Sequence, residues 1–404
     1  MPIDSDEGFT NEASGISAFG GHVLAAAAGG GAEVAGDSQG LLELASLGFE
    51  DAEQLVALAA MPEALEQLNA ALPDGERSRA ALLDAARSSL PRDRLELLSA
   101  PAPRDLGLGV LPPTPEMLAD AEMSSAESAD VGMVALPPAV NLVNFMSPIR
   151  NQASRGTCVA FTCTSLHEYV ARRRGSAQDL SEQHLYYETK LIDGSPDACG
   201  TWQSKAVLVL QQRGQCREAV WPYNPNPPCN GHGPRPANAR SGALYHRLTT
   251  LAVPTRDVAA YKAHMAAQRP VTLSIPVYNS WYQSAETRRS GRITMRIGNE
   301  PAAGGHAVCL VGYQDNATSP GGGYFIVRNS WSTNWASQSP YGAGYGTIPY
   351  KYITDDAWEA FTAVVPGVGG ADPDEGDGQA SDNISANVTI DVGPSIRITI
   401  STTE

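Results

Sequence analysis

Between Leu41 and Leu98 apolar side chains recur at three- and four-residue steps: Leu41, Leu44, Ala45 and Leu47, then Leu55, Leu58 and Ala59. Such spacing lays an apolar stripe along one side of a helix, so the segment reads as a bundle of three or four short helices. Gly48 breaks the first helix and Asp51 is placed to cap the second. Pro62 and Pro73-Asp74-Gly75 mark turns, and Arg77 to Leu90 forms another helix before Pro91. Helical patterning returns at Cys158–Arg174, Glu182–Leu191 and Trp202–Arg213. Further on, the chain shifts to short runs rich in β-branched and aromatic residues. Strands are predicted at Val271–Val277, Arg292–Ile297, Ala307–Tyr313, Tyr324–Arg328 and Tyr345–Pro349. Helices followed by antiparallel strands give an α+β class.

The remaining segments carry weaker patterns. Residues 1–40 are rich in Gly and Ala with little period and are expected to be disordered; 41–99 is the helical bundle. Residues 100–135 hold prolines at 101, 103, 112, 113 and 115 and read as an extended linker able to cross a cleft. A folded region spans 136–365, and an acidic, Gly-rich linker covers 366–383. Residues 384–404 alternate apolar and polar positions on both sides of Gly393-Pro394, as a hairpin would, and would suit addition to a sheet edge.

Charge sharpens this division. Of the chain's net −16, residues 1–135 carry 23 acidic and 6 basic side chains, 136–365 carry 14 and 21, and 366–404 carry 7 and 1. The basic middle segment and the acidic arm are expected to dock intramolecularly, over the short range that screening allows. Nucleic acid is not an expected partner, because the basic excess is scattered. Its one tight cluster, Arg172-Arg173-Arg174, suits a solvated helix C-terminus. No run approaches the ~20 apolar residues of a membrane span. The Val23–Ala28 apolar run has no basic residues before it, so a classical secretion signal is not expected, and the chain reads as cytoplasmic or non-classically exported.

Candidate chemistry centres on Asn151-Gln-Ala-Ser-Arg-Gly-Thr-Cys158. Cys158 stands where a helix should begin, behind Thr157, and the positive end of a helix favours the thiolate. A lone cysteine in such a place is ordinarily a small buried residue. A nucleophile also needs a base and a group that orients the base. His306 follows 148 residues later in Gly304-Gly305-His306-Ala307-Val308, and Asn329 follows 23 residues after that in Asn329-Ser330-Trp331. The order is that of a Cys-His-Asn triad, with Asn329 somewhat late.

Further stretches fall in step with these. Leu136-Pro-Pro-Ala-Val-Asn-Leu142 looks like a mature N-terminus, and Pro148-Ile-Arg-Asn-Gln152 like the approach to the nucleophile. Leu180-Ser-Glu-Gln183, Trp221-Pro-Tyr223, Gly304 to Tyr313 and Tyr324 to Trp331 complete the series. With these motifs the chain resembles the papain family of cysteine peptidases. The resemblance implies a two-lobe α+β fold, one lobe helical and carrying the nucleophile, the other an antiparallel β-barrel-like lobe carrying His and Asn. It implies hydrolysis of protein or peptide substrates without metal or cofactor. Cys158 would be the nucleophile, His306 the general base and then acid, and Asn329 the group that holds the imidazole. Gln152 would share the oxyanion with the Cys158 backbone amide. Trp331 would shield the His–Asn pair, and Gly200 and Gly305 would line the substrate cleft. Residues 1–135, or part of them, would then inhibit the enzyme until it is cut near Leu136. Their short helices do not resemble the family's usual pro-region, and the Ala/Gly-rich arms suggest a bacterial style.

Departures are local. Arg155 stands where many members have a disulfide cysteine, which implies a less tethered loop, and Val159 replaces a Trp. Cys163 and Cys309 sit in core-like patterns, leaving Cys199, Cys216 and Cys229 for a single bridge. A zinc site at Cys229-x-x-His232 is an alternative. Asp372, Asp374 and Asp377 do not meet calcium-loop spacing. The rival functions are acyl transfer to an amine by the same triad, and a papain-fold binding module with an idle triad.

Overall fold

The computed structural model describes residues 49, 51–72, 75–98, 106–119, 136–226, 228–243, 246–364, 386–392 and 396–402. The sequence readings for 1–40, for the first helix around Leu41–Leu47, for 366–383 and for much of the Pro-rich linker lie outside these residues.

Four short helices come first: α1 Ala52–Leu58, α2 Pro62–Ala71, α3 Glu76–Ser89 and α4 Arg92–Leu98. Asp51 caps α1, its carboxylate accepting from the Gln54 amide at 2.9 Å, and Pro62 occupies a first helical position that needs no N–H. The apolar stripes of α1, α2 and α3 meet in one core that includes Phe49, Leu55, Leu58, Met61, Leu68 and Leu83. Ile297, from far along the chain, completes that core and is fully buried, a contact worth about 2 kcal/mol.

Charge joins the bundle to the same place. Arg292 lies 2.5 Å from Asp51, and Arg289 pairs with both Glu53 and Glu286. Arg94 of α4 closes the group, 2.8 Å from Glu53. The strand expected at Arg292–Ile297 is therefore absent. Only Arg292 makes a bridge, to Thr347, because its side chain is drawn to Asp51 and Glu286 while Ile297 is drawn into the bundle.

The helices of the second block are α5 Cys158–Arg173, α6 Glu182–Lys190, α7 Gln203–Gln212 and the short α8 Ala239–Ala243. Later helices are α9 Val258–Ala266, α10 Asn279–Gln283, α11 Ala285–Ser290 and α12 Tyr350–Asp356. The strands are β1 Ala139–Asn141, β2 Thr250–Ala252, β3 Val271–Tyr278, β4 Ala302–Asp315, β5 Gly323–Arg328, β6 Tyr345–Pro349 and β7 Glu359–Ala363. They form one antiparallel sheet in the order β2-β7-β3-β4-β5-β6, with β1 on β4.

β4 separates two cores. Val308 and Leu310 face a cluster with Leu273, Ile275, Trp281 and Trp331. Ala307, Cys309 and Val311 face the α5 residues Val159, Cys163 and Leu166. A strand buried on both faces reads as a continuous apolar run, which is how this one appears in the sequence. Thr162 of α5 donates to the Ala307 carbonyl at 2.9 Å and pins the helix to the sheet.

A separate unit, Gly369–Glu404, contains β8 Ala386–Val392 and β9 Ile396–Thr402, paired antiparallel with Val388 opposite Ile400. Among the described residues no helix is long and apolar enough to cross a membrane.

Candidate active site

Cys158 is the first residue of α5, and the helix enters the cleft without a side-chain cap. Thr157, expected to start the helix, points its hydroxyl elsewhere, to the Tyr223 hydroxyl at 2.7 Å. The first-turn amides of α5 are thus left for the cleft. His306 lies on β4, and strand alternation puts it on the Val308 and Leu310 face, toward Trp281 and Trp331. Its Nε2 is 2.9 Å from Asn329 Oδ1. The same oxygen accepts from the Ser330 amide at 2.8 Å, which fixes it as the acceptor and His306 Nε2–H as the donor. The neutral ring is then unprotonated at Nδ1, which is buried with no hydrogen-bond partner among the described residues. Trp331 stacks on the imidazole at 4.6 Å between centroids, and Trp281 meets its edge at 6.5 Å.

Gln152 is fully buried. Its Nε2 donates to the Arg155 carbonyl at 2.9 Å, and its Oε1 accepts from Ser330 at 2.6 Å. One amide hydrogen remains for another acceptor. The loop from Gln152 to Thr157 is held firmly, contrary to the loose loop inferred from the missing cysteine. Arg155 reaches Gln183 Oε1 at 2.9 Å, the Cys229 carbonyl at 2.8 Å and the Asn224 carbonyl, and lies 5.3 Å from the Tyr223 ring centroid. Cys229 forms a disulfide with Cys199, so the zinc alternative at Cys229 and His232 falls, and Cys216 remains free. No group of three or more metal-ligating side chains occurs among the described residues.

Residues 106–111 run through this cleft as a strap. Gly107 donates to the Ala153 carbonyl, and its own carbonyl accepts from Trp331 Nε1 at 3.0 Å. Gly109 and Val110 donate to the Gly305 carbonyl, each at 3.0 Å, while Thr201 and Gly109 bond at 3.0 Å and Leu111 and Thr201 at 3.1 Å. Gly200, at φ +100°, lies so near Gly109 that a Cβ there would meet its carbonyl oxygen at 2.6 Å. A Cβ on Gly305 would meet the Val110 carbonyl at 2.5 Å and the Trp358 ring at 2.6 Å. All seven residues singled out from the sequence therefore gather around one cleft. Trp281, Tyr282, Thr201 and Trp358 also belong there. Apart from the neighbourhood of Gly200, no motif marked them, because they contribute aromatic bulk or backbone atoms.

Under the strap, electrostatics run opposite to the thiolate expected at a helix start. Burial pushes the Cys158 thiol up to about 12, although the Ala307, Val159 and Gly109 amides work against it. Burial likewise holds His306 down to about 4, which the Asn329 bond only partly offsets. Both groups are neutral between these limits. Desolvation outweighs the helix end here.

If Gln152 supplies an oxyanion donor, Gln152→Ala should lower kcat by roughly 10²-fold with little change in KM. Steady-state kinetics on a fluorogenic peptide would measure this, and an unchanged kcat would leave the role to the backbone.

A family model described as "Papain family cysteine protease" matches residues 137–347. An uncharacterized peptidase C1-like protein of Acanthamoeba polyphaga mimivirus is 25% identical over 60% of this chain and 79% of its own length. Cysteine proteinase 2 of Entamoeba histolytica is 30% identical over 48% of this chain and 58% of its own length. The crystal structure of xylellain, a cysteine protease from Xylella fastidiosa, superposes with a TM-score of 0.51 at 24% identity, over 65% of this chain and 97% of that one.

Proposed function

The chain belongs to the papain family of cysteine proteases, and from that premise we propose that it hydrolyses peptide bonds through a Cys158 acyl-enzyme and is made latent, its cleft closed by its own residues 106–111. The observation that carries the chemistry is the His306–Asn329 bond, which leaves Nδ1 as the open basic nitrogen of a side chain at the Cys158 cleft.

The Cys158 thiol gives its proton to Nδ1, and the sulfur attacks the scissile carbonyl carbon. The carbonyl oxygen takes the electron pair, stabilised by the α5 N-terminus and Gln152. As the tetrahedral species collapses, the C–N bond breaks and the imidazolium returns its proton to the leaving amine. Water, deprotonated by the same nitrogen, then attacks the thioester, releasing the acid and restoring the thiol. Trp331 and Trp281 keep water from the His306–Asn329 bond.

Latency rests on the strap's polarity and composition. The Gly109 N–H is among the amides that face the Cys158 sulfur, so that contact offers no carbonyl carbon for attack. The bundle, anchored through Asp51, Glu53 and Ile297, positions the strap, and removal near Leu136 would open the cleft.

Acid should favour that opening. His306 has a usual value of 6.5 and is held to about 4 when covered, so the covered form's advantage is complete above 6.5 and fades as pH falls toward 4. Cys158 is raised instead, from 9.0, so its share is complete below 9.0 and fades only as pH rises toward about 12. Hydrogen exchange of the amides of residues 106–111, corrected for the intrinsic effect of pH, should report opening at least about tenfold more frequent at pH 4.5 than at 7.5. Equal rates would remove His306 burial as the cause.

The proposed activity is tested by incubating wild-type and Cys158→Ala proteins with a peptide library, with and without an added amine. Cleavage that needs Cys158 supports hydrolysis, amide products with the amine indicate acyl transfer, and no Cys158-dependent product indicates an idle triad.

A further inference from the structure

One polar site lies on the α6 face turned away from the cleft. Tyr186 of α6 reaches the substrate-cleft loop, its hydroxyl accepting from the Gly200 amide at 3.2 Å. His184 and Glu188, two residues to either side, fall on the opposite face of that helix. There an open depression of about 390 Å³ is lined by His184, Gln212, Arg213, Arg240 and Ser241, from α6, the end of α7 and α8.

Two features of this depression point to a ligand. The first is His184: it is fully buried, yet neither ring nitrogen has a hydrogen-bond partner among the described residues. A neutral imidazole offers one donor and one acceptor, and leaving both unmatched in a buried place is costly. The second is a surplus of positive charge. Glu188 is the carboxylate facing two guanidiniums, Arg213 at 2.8 Å and Arg240 at 2.9 Å. Among the described residues Arg213 engages it through Nη1 alone and Arg240 through Nε and Nη2, so each retains N–H donors.

We propose that this depression is a binding site for a small phosphate-type oxyanion, held by Arg213, Arg240 and His184. A cation is disfavoured, since the nearby carboxylate is already paired twice. A halide offers no set of directed acceptors, whereas a tetrahedral oxyanion presents several oxygens at once, one for the imidazole N–H and others for the spare N–H groups of Arg213 and Arg240. Burial, together with the Arg235 and Arg240 charges, keeps the ring neutral against the pull of Glu188, so the imidazole supplies one N–H donor at neutral pH. None of these residues belongs to the catalytic cleft, so the site is independent of the peptidase reading.

The test uses the full-length protein at pH 7.5 and constant ionic strength, titrated with inorganic phosphate, with methyl phosphate, and with potassium chloride as control. Phosphate at ten times its Kd should raise Tm saturably by about 2–4 °C. The ring nitrogen signals of His184, assigned in NMR spectra by their loss in His184→Phe, should move with the same midpoint. Arg240→Gln, a change at a half-exposed side chain, should remove both effects while the unliganded protein stays folded. Tighter binding of methyl phosphate would assign the site to a phosphate ester, and equal or weaker binding to the free anion. The proposal is overturned if the His184 signals ignore phosphate, or if Arg240→Gln shows the same Tm shift, which would mean an adventitious ion only.

Discussion

Cys158→Ala is expected to abolish peptide hydrolysis, by roughly 10⁴-fold or more, while leaving the fold intact. The side chain is fully buried in the core shared by α5 and β4, where Ala keeps the Cβ and loses one sulfur atom. The chemical loss is far larger than the structural one. Without the thiol no acyl-enzyme forms, and neither His306 Nδ1 nor the oxyanion donors have a nucleophile to serve. The measurement should be made on protein cut near Leu136 and diluted, because the covered wild-type is itself expected to be slow. An electrophilic epoxide or vinyl sulfone should label the wild-type at one site and the variant not at all. Retained turnover in the variant would transfer the chemistry to another residue and dismantle the proposed mechanism.

Gly109→Val should act in the other direction, making the full-length enzyme active without cleavage near Leu136. A Cβ at this position would lie 2.2 Å from the Gly156 carbonyl carbon and oxygen, a contact with backbone that no rotamer relieves. The strap would have to lift from Gly156, losing its bonds to Gly305 and Thr201. Each such bond is worth on the order of 1 kcal/mol, so loss of two or three corresponds to at least about a tenfold rise in the open fraction. Initial rates on a small peptide at pH 7.5 would show it, compared with wild-type at equal concentration. A variant with the wild-type's low rate would mean that the strap does not limit access.

The catalytic side chains were legible because covalent catalysis needs particular atoms in a particular order, and Gln152, Cys158, His306 and Asn329 each carry a distinctive neighbourhood. β4 and β5 were legible because a strand buried on both faces shows as an unbroken apolar run. Arg292–Ile297 misled for the converse reason. Its alternation is genuine, but Ile293 and Met295 pack into the core beside β3 and β4, Ile297 enters the N-terminal bundle, and Arg292 reaches Asp51 and Glu286, so no sheet neighbour is needed. Arg155 misled because only its lack of sulfur was visible, whereas its two terminal nitrogens reach three parts of the helical lobe. The ionisation states of Cys158 and His306 were not legible at all, since burial, which no motif records, sets them.

Residues 120–135 lead from the end of the strap region to the catalytic domain at Leu136. While that stretch is intact, the strap and its bundle face the cleft at an effective concentration on the order of millimolar, whatever the protein concentration. On the proposed latency, a single cut there would turn an intramolecular partner into an ordinary inhibitor obeying mass action. Activation would then have two stages with different kinetics: a cleavage step, and a dissociation step that depends on dilution and on salt through the Asp51–Arg292 and Glu53–Arg289 pairs. Freshly cut enzyme in a concentrated sample would remain quiet, and the same enzyme diluted would become active.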